Sequence, residues 1–146
     1  MSLNITTDYA IRVLLYLASN ATVGESISGK EIAEEMGIPY NYFLKIVPNL
    51  KDANFIISYQ GKKGGYSLEK DPADISLFDI IDAMEDDLTI SECLKNPSAC
   101  SRTYTGHCAV HNFFYSLQED LEKKLRSVSL ESVVQQQKLL EEIMHI

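Results

Sequence analysis

Three cysteines, Cys93, Cys100 and Cys108, fall within sixteen residues, and His111 stands three positions after the last. The pattern Cys-x6-Cys-x7-Cys-x2-His offers three soft thiolates and an imidazole, a donor set that suits an iron–sulfur cluster or zinc. It lacks the tight Cys-x2-Cys knuckle of structural zinc, and its loose spacing fits a cluster that must respond to oxidants. An odd number of cysteines crowded in one stretch is unlike a disulfide framework and points to a reducing compartment. The competing readings are a redox disulfide, incidental thiols, and a histidine that merely opens a helix. His107, adjacent to Cys108, is a weaker ligand candidate.

A second chemistry is carried by charge. The 146 residues hold 13 basic and 21 acidic side chains, net −8, which as a bulk property repels phosphate. The distribution is uneven. Residues 1–36 carry −3, residues 37–66 carry +3, and residues 67–146 carry −8. Lys45, Lys51, Lys62 and Lys63 supply all the positive charge of the middle window, where phosphate contacts would give salt-dependent affinity. Asn41, with a paired donor and acceptor, is the best candidate there for reading a base edge, and Tyr40 and Tyr42 flank it.

The elements that must present these residues follow from periodicity. Tyr9, Ala10, Val13, Leu14 and Leu17 recur at three and four residues, predicting a helix over 8–19 capped by Thr6 or Thr7. Ser28-Gly-Lys-Glu31 reads as a capping box opening a second helix, with Ile32, Ala33 and Met36 inward and Gly37 ending it. After the Ile38-Pro39 connection, Phe43, Leu44, Ile46, Val47 and Leu50 form the inner stripe of a third helix, which Pro48 is expected to kink or break near Val47. Two helices joined by so short a turn are a helix-turn-helix signal. Asn54 can close the third helix in a left-handed conformation, Phe55–Tyr59 has strand composition, and Gln60–Gly65 is a glycine-rich turn into a return strand, Tyr66–Leu68. Helix, helix, helix, hairpin is the winged helix-turn-helix order, with the third helix in the major groove and the wing carrying Lys62 and Lys63 to the backbone or minor groove.

Beyond Asp71-Pro72, Ser76 and Asp79 can cap a further helix with Ile80, Ile81, Met84 and Leu88 as its candidate inward residues. From Thr89 to Gly106 periodicity vanishes, and the segment reads as an eighteen-residue loop, longer than compact domains leave structureless without a functional reason. Val110, Phe114, Leu117, Leu121, Leu125 and Val128 then repeat at nearly 3.5 residues and read as a dimer seam. Leu130, Val133, Val134, Leu140 and Ile143 suggest a last amphipathic helix folding back. The expected organisation is a DNA-binding domain over 1–88, a cysteine-containing sensor loop over 89–108, and a dimerisation helix with its return helix over 109–146. The fold class is mainly α with a small β-hairpin wing.

Four stretches together resemble the Rrf family of bacterial winged-helix transcription regulators, the group of IscR, NsrR and CymR. They are Asp8-Tyr-Ala-Ile-Arg-Val-Leu, Gly61-Lys-Lys-Gly-Gly-Tyr-Ser-Leu, Ile75-Ser-Leu-Phe-Asp-Ile-Ile-Asp-Ala-Met-Glu85, and the three cysteines before a long helix. The resemblance covers nearly the whole chain. It implies a homodimeric repressor on a palindromic operator which, in the cluster-bearing branch, senses nitric oxide, oxidants or iron–sulfur status through a 2Fe–2S or 4Fe–4S cluster. Cys93, Cys100 and Cys108 match the family's cluster cysteines. His111 matches the histidine ligand of the cluster-regulator branch, and Asp8 matches the aspartate that the nitric-oxide-sensor branch supplies from the partner subunit. The alternative is a clusterless, CymR-like regulator controlled by a partner protein or a small thiol. The cysteine spacings are longer than those of the best-known members.

Other classes are set aside on chemistry. The longest apolar run, Val13–Ala18, is far shorter than the roughly 20 residues that cross a bilayer, and no basic-then-apolar leader opens the chain, so the expected location is the cytoplasm. For an enzyme, a nucleophile–base pair, a phosphate-binding glycine loop or paired carboxylates would be needed, and none stands out. Gly64-Gly65 follows a basic turn where no helix begins.

Overall fold

The computed structural model describes residues 2–101 and 107–144. Among the described residues, seven α-helices and one antiparallel hairpin follow in the order α1 (Ile5–Asn20), α2 (Gly29–Met36), α3 (Tyr40–Asp52), β1 (Ile56–Tyr59), β2 (Gly65–Leu68), α4 (Leu77–Met84), α5 (Glu92–Lys95), α6 (Ala109–Arg126) and α7 (Leu130–Met144). Short 3-10 turns precede α4 and follow α5. Among the described residues, no helix is long and apolar enough to cross a membrane.

Helix α1 is the centre of the fold, because its apolar stripe is wide enough to meet α2, α3, α4 and α7 at once. Ala10, Val13, Leu14 and Leu17 are fully buried and share one core with Ile32, Phe43, Ile46, Leu50, Ile56, Leu68, Ile75, Ile80 and Leu130. The helix begins earlier than its periodicity suggests. Asn4 is the residue before its first turn, and neither Thr6 nor Thr7 caps it. Thr7 lies inside the helix with a fully buried side chain.

Local punctuation behaves as chemistry dictates. The Glu31 amide donates to Ser28 Oγ at 3.2 Å to start α2, which is only half of the expected box because the Glu31 carboxylate accepts from the Tyr16 hydroxyl, and Gly37 ends the helix in the left-handed region at φ 65°. Asn54 likewise turns left-handed, at φ 61°, after α3. Helix α3 runs through Pro48 without the expected break. The carbonyl that proline leaves without a donor belongs to Leu44, a residue on the exposed side of the helix. That exposure also corrects the inward assignment of Leu44.

The hairpin pairs Ile56 with Leu68 and Tyr59 with Gly65. A one-residue bridge from Ile27 adds to it, with Ile27 N–H donating to the Tyr66 carbonyl at 2.9 Å and Tyr66 N–H returning at 2.8 Å. Glycine at 65 follows from this approach, since a Cβ there would sit 2.3 Å from the Ile27 carbonyl oxygen.

Ser76 and Asp79 form the full reciprocal capping box of α4, which stops at Met84. Leu88 therefore lies beyond that helix, lining a cavity with Ile81, Leu121 and Leu125. The segment read as a structureless loop contains α5 and a 3-10 turn, Pro97–Ala99. Backbone bonds Leu77 N–H to Val128 C=O (2.9 Å) and Leu130 N–H to Ile75 C=O (2.7 Å) then pin the α6–α7 junction to the start of α4.

Helix α6 has eighteen residues, and Gln118 is its one buried side chain. The apolar stripe read as a single seam divides in two. Phe114, Leu121, Leu125 and Val128 are half-buried within the chain, Val128 lying just past the helix end. Val110 and Leu117 stay exposed, and beside them so do Phe113 and Tyr115, which lie outside the predicted stripe, Phe113 at 63%. In α7, Leu130 and Val134 are buried while Leu140 and Ile143 are exposed, so only its first half folds back onto the core.

Candidate nucleic-acid interface and cysteine loop

The face of α3 that presents polar groups is set by the face that is buried. Phe43, Ile46, Val47 and Leu50 point inward, and at 100° per residue Asn41 and Lys45 fall on the opposite side. Both are exposed, as is Lys51 in the last turn. Tyr40 and Tyr42 are exposed on the two flanks, and each is held by a ring contact. Tyr40 stacks on Phe43 with centroids 5.8 Å apart, and Tyr42 meets Tyr9 of α1 edge-on at 5.8 Å. Lys45 Nζ stands 5.2 Å from the Tyr42 ring centroid, which restrains the ammonium near the middle of the helix. Lys62 and Lys63 are exposed in the turn between β1 and β2, and Ser26 Oγ donates to the Lys63 carbonyl at 2.9 Å. The wing is thus tied to the loop before α2.

Three residues outside the sequence-based assignments organise this surface. Arg12 of α1 donates from Nη1 to the Met36 carbonyl at 3.1 Å, satisfying an orphan carbonyl at the end of α2, and pairs through Nη2 with Asp8 at 2.7 Å. Its guanidinium also stands 5.4 Å from the Tyr9 ring centroid.

Glu85, at the end of α4, accepts from Asn4 N–H (2.7 Å), Asn4 Nδ2 (2.8 Å) and Thr7 Oγ1 (2.7 Å). A carboxylate from 81 residues away thereby caps α1, where the helix dipole favours negative charge. Replacing Glu85 with Ala leaves the buried Thr7 hydroxyl without its acceptor and should cost about 2 kcal/mol. Urea unfolding midpoints check this, and Glu85→Gln, which keeps one acceptor oxygen, should lose less.

Gln118 is the third. Its Oε1 accepts from Ile90 N–H at 2.9 Å and its Nε2 donates to the Leu88 carbonyl at 3.1 Å. The start of the cysteine segment is therefore clamped to α6. At the same turn, the hydrogen bonds from the Thr89 backbone and hydroxyl, with Lys95 at 3.2 Å, hold the Asp87 carboxyl below its ordinary pKa.

The candidate ligands are dispersed over several elements. Cys93 lies in α5 with Sγ 3.1 Å from Ser91 Oγ, Cys100 follows the 3-10 turn, and Cys108 directly precedes α6. All three are half-buried. His111 is half-buried in the first turn of α6, and Asp8 stands in the first turn of α1, engaged with Arg12. Among the described residues, no three histidine, cysteine, aspartate or glutamate side chains gather as a metal site. The donors match a soft metal in kind, but one chain does not assemble them among those residues. Residues 102–106, within the predicted sensor loop, lie outside the described residues.

Comparison with known proteins places this arrangement. The chain is 36% identical over 101 residues to the transcriptional regulator NsrR of Bacillus subtilis, covering 68% of each protein. Its fold matches that of CymR, the global cysteine regulator of B. subtilis, with a TM-score of 0.75 at 24% identity over 92% of this chain and 97% of the other. IscR of T. potens matches with a TM-score of 0.72 at 23% identity, covering 93% and 88%. The family model described as Rrf2, iron-dependent transcriptional regulator, spans residues 3–136. With the winged helix-turn-helix built as described and a family of regulators in place of enzymes, the chain belongs to the Rrf2 family of transcription regulators.

Proposed function

We propose that the chain is a cytoplasmic, homodimeric repressor that grips a palindromic operator with α3 and the wing and takes its signal through the cysteine loop. The carrying observation is the exposure of Asn41, Lys45, Lys51, Lys62 and Lys63 on the recognition helix and wing of a chain whose net charge is −8. Residues 1–88 act as the DNA-binding domain, 89–108 as the sensor and 109–146 as the dimerisation part. The unburied apolar residues Val110, Phe113 and Leu117 on α6 support dimerisation, because exposed apolar patches of this kind are covered by partners. Paired helix-turn-helix units suit two-fold operators with half-sites one or more helical turns apart.

In this reading Cys93, Cys100 and Cys108 hold an iron–sulfur cluster, with Asp8 of the partner subunit or His111 as fourth ligand. Bound there, the cluster supplies reactivity toward oxidants or nitric oxide. The chain's own residues do the rest. Asp8 shares Arg12 with the α2 carboxyl terminus, and Tyr9 beside it touches Tyr42, so the state of the α1 amino terminus bears on the recognition helix. The second reading is a clusterless regulator controlled by a partner protein or a small thiol. The observation on its side is that, among the described residues, the donors lie apart within one chain. Anaerobic absorbance and Mössbauer spectra of the wild type, Asp8→Ala and His111→Ala decide between them. Iron–sulfur absorption lost in one of the two variants supports the cluster and names its fourth ligand. A colourless wild type, with regulation surviving Ser at all three cysteines, supports the second.

A further inference from the structure

Leu44 belongs by periodicity to the inner stripe of α3, yet it is 48% exposed, more than Tyr40 or Tyr42 on the same helix. At 100° per residue it lies beside Asn41 and Pro48, three positions from one and four from the other, on the shoulder between the buried face and the polar face. Leu44 and Pro48 therefore make a small apolar step on a helix side that otherwise carries Asn41, Lys45 and Lys51. Leaving leucine in water forgoes its burial energy, so its value here depends on what covers it in the complex.

The cationic setting identifies the cover as duplex DNA, and in the major groove the apolar group a base edge presents is the C5-methyl of thymine. Asn41 and Leu44 are separated by about 4.5 Å along the helix axis, close to the ~3.4 Å step between bases on one strand, so the two can address neighbouring positions. We propose that Leu44, with Pro48 beside it, is a specificity-determining residue that packs on a thymine methyl next to the base read by Asn41. This rests on the DNA-binding reading above.

The test uses duplexes enriched by the wild-type dimer from a randomised pool, with each thymine then replaced singly by uracil, which removes only the methyl. Losing one buried methyl should weaken wild-type binding about fourfold at one thymine in each half-site. Leu44→Ala should bind the thymine and uracil duplexes equally, with an unchanged thermal midpoint because the side chain lies outside the core. A uracil penalty of the same size in Leu44→Ala overturns the proposal, as does an enriched operator in which no thymine methyl matters. Enrichment of no duplex at all defeats the DNA-binding reading and this inference together, whereas the preceding two results defeat the inference alone. Loss of a protein partner in Leu44→Ala with the uracil penalty intact reassigns the residue to a protein surface.

Discussion

Replacing Lys45, Lys62 and Lys63 together with Ala should abolish most operator affinity at physiological salt and flatten its salt dependence. Each ammonium that neutralises a phosphate releases counterions, contributing about 0.9 to the slope of log affinity against log salt, so six lysines in a dimer account for a slope change of roughly 5. Affinity should fall almost equally on operator and random duplex, since phosphate contacts position the protein without reading sequence. Asn41→Ala should behave differently, costing about 1–3 kcal/mol on the operator and little on random DNA. Fluorescence anisotropy from 50 to 300 mM salt reads both quantities. An unchanged slope in the triple variant removes the lysines from the phosphate contacts. Folding is not at stake, because all three side chains are exposed.

The largest expected loss of stability follows Phe43→Ala. The ring is fully buried, meets Tyr66 of the wing edge-on at 5.4 Å and stacks with Tyr40 at 5.8 Å. It also fills the space above Gly29, where a Cβ would stand 2.7 Å from it. One side chain thereby joins the start of α2, the recognition helix and the hairpin. Truncating a buried phenylalanine costs about 3–5 kcal/mol, a large share of the roughly 5–15 kcal/mol that holds such a domain folded. The melting temperature should fall by roughly 6–20 °C in a chain of this size. Calorimetry measures it, and a drop under about 2 °C contradicts the packing described. Hydrogen exchange should rise in α3 and the wing together, because they lose the same partner.

The two expectations separate affinity from architecture. In the proposed reading the lysines act on DNA and leave the core intact, whereas Phe43, fully buried, supports the surface that presents them. Glu85 and Gln118 form a third layer. Glu85 fastens the start of α1 to the end of α4, and Gln118 fastens the entry to the cysteine segment to α6.

What sequence alone determined is what depends on neighbours within about one helical turn. Ser28, Gly37, Asn54 and the Ser76–Asp79 box bond to backbone or side-chain atoms at most four residues away, so their chemistry is readable in order. The buried stripes of α1 and α3 repeat with the helix period, and the thiol cluster is plain in the spacing of its cysteines. Periodicity fails at the stripe's edge, which is why Leu44 faces outward and why the α6 stripe divides between the chain's own fold and solvent.

Tertiary structure decided the rest. The Glu85 cap of α1 spans 81 residues, the Gln118 clamp spans 28 and 30, and the Ile27–Tyr66 bridge joins segments from either side of the helix-turn-helix. Such contacts depend on where the chain returns in space, and a carboxylate or an amide carries no sign in its sequence surroundings of which distant backbone it will meet. Whether the cysteines meet is decided at the same level, since their spacing supplies the ligands while the fold governs their approach.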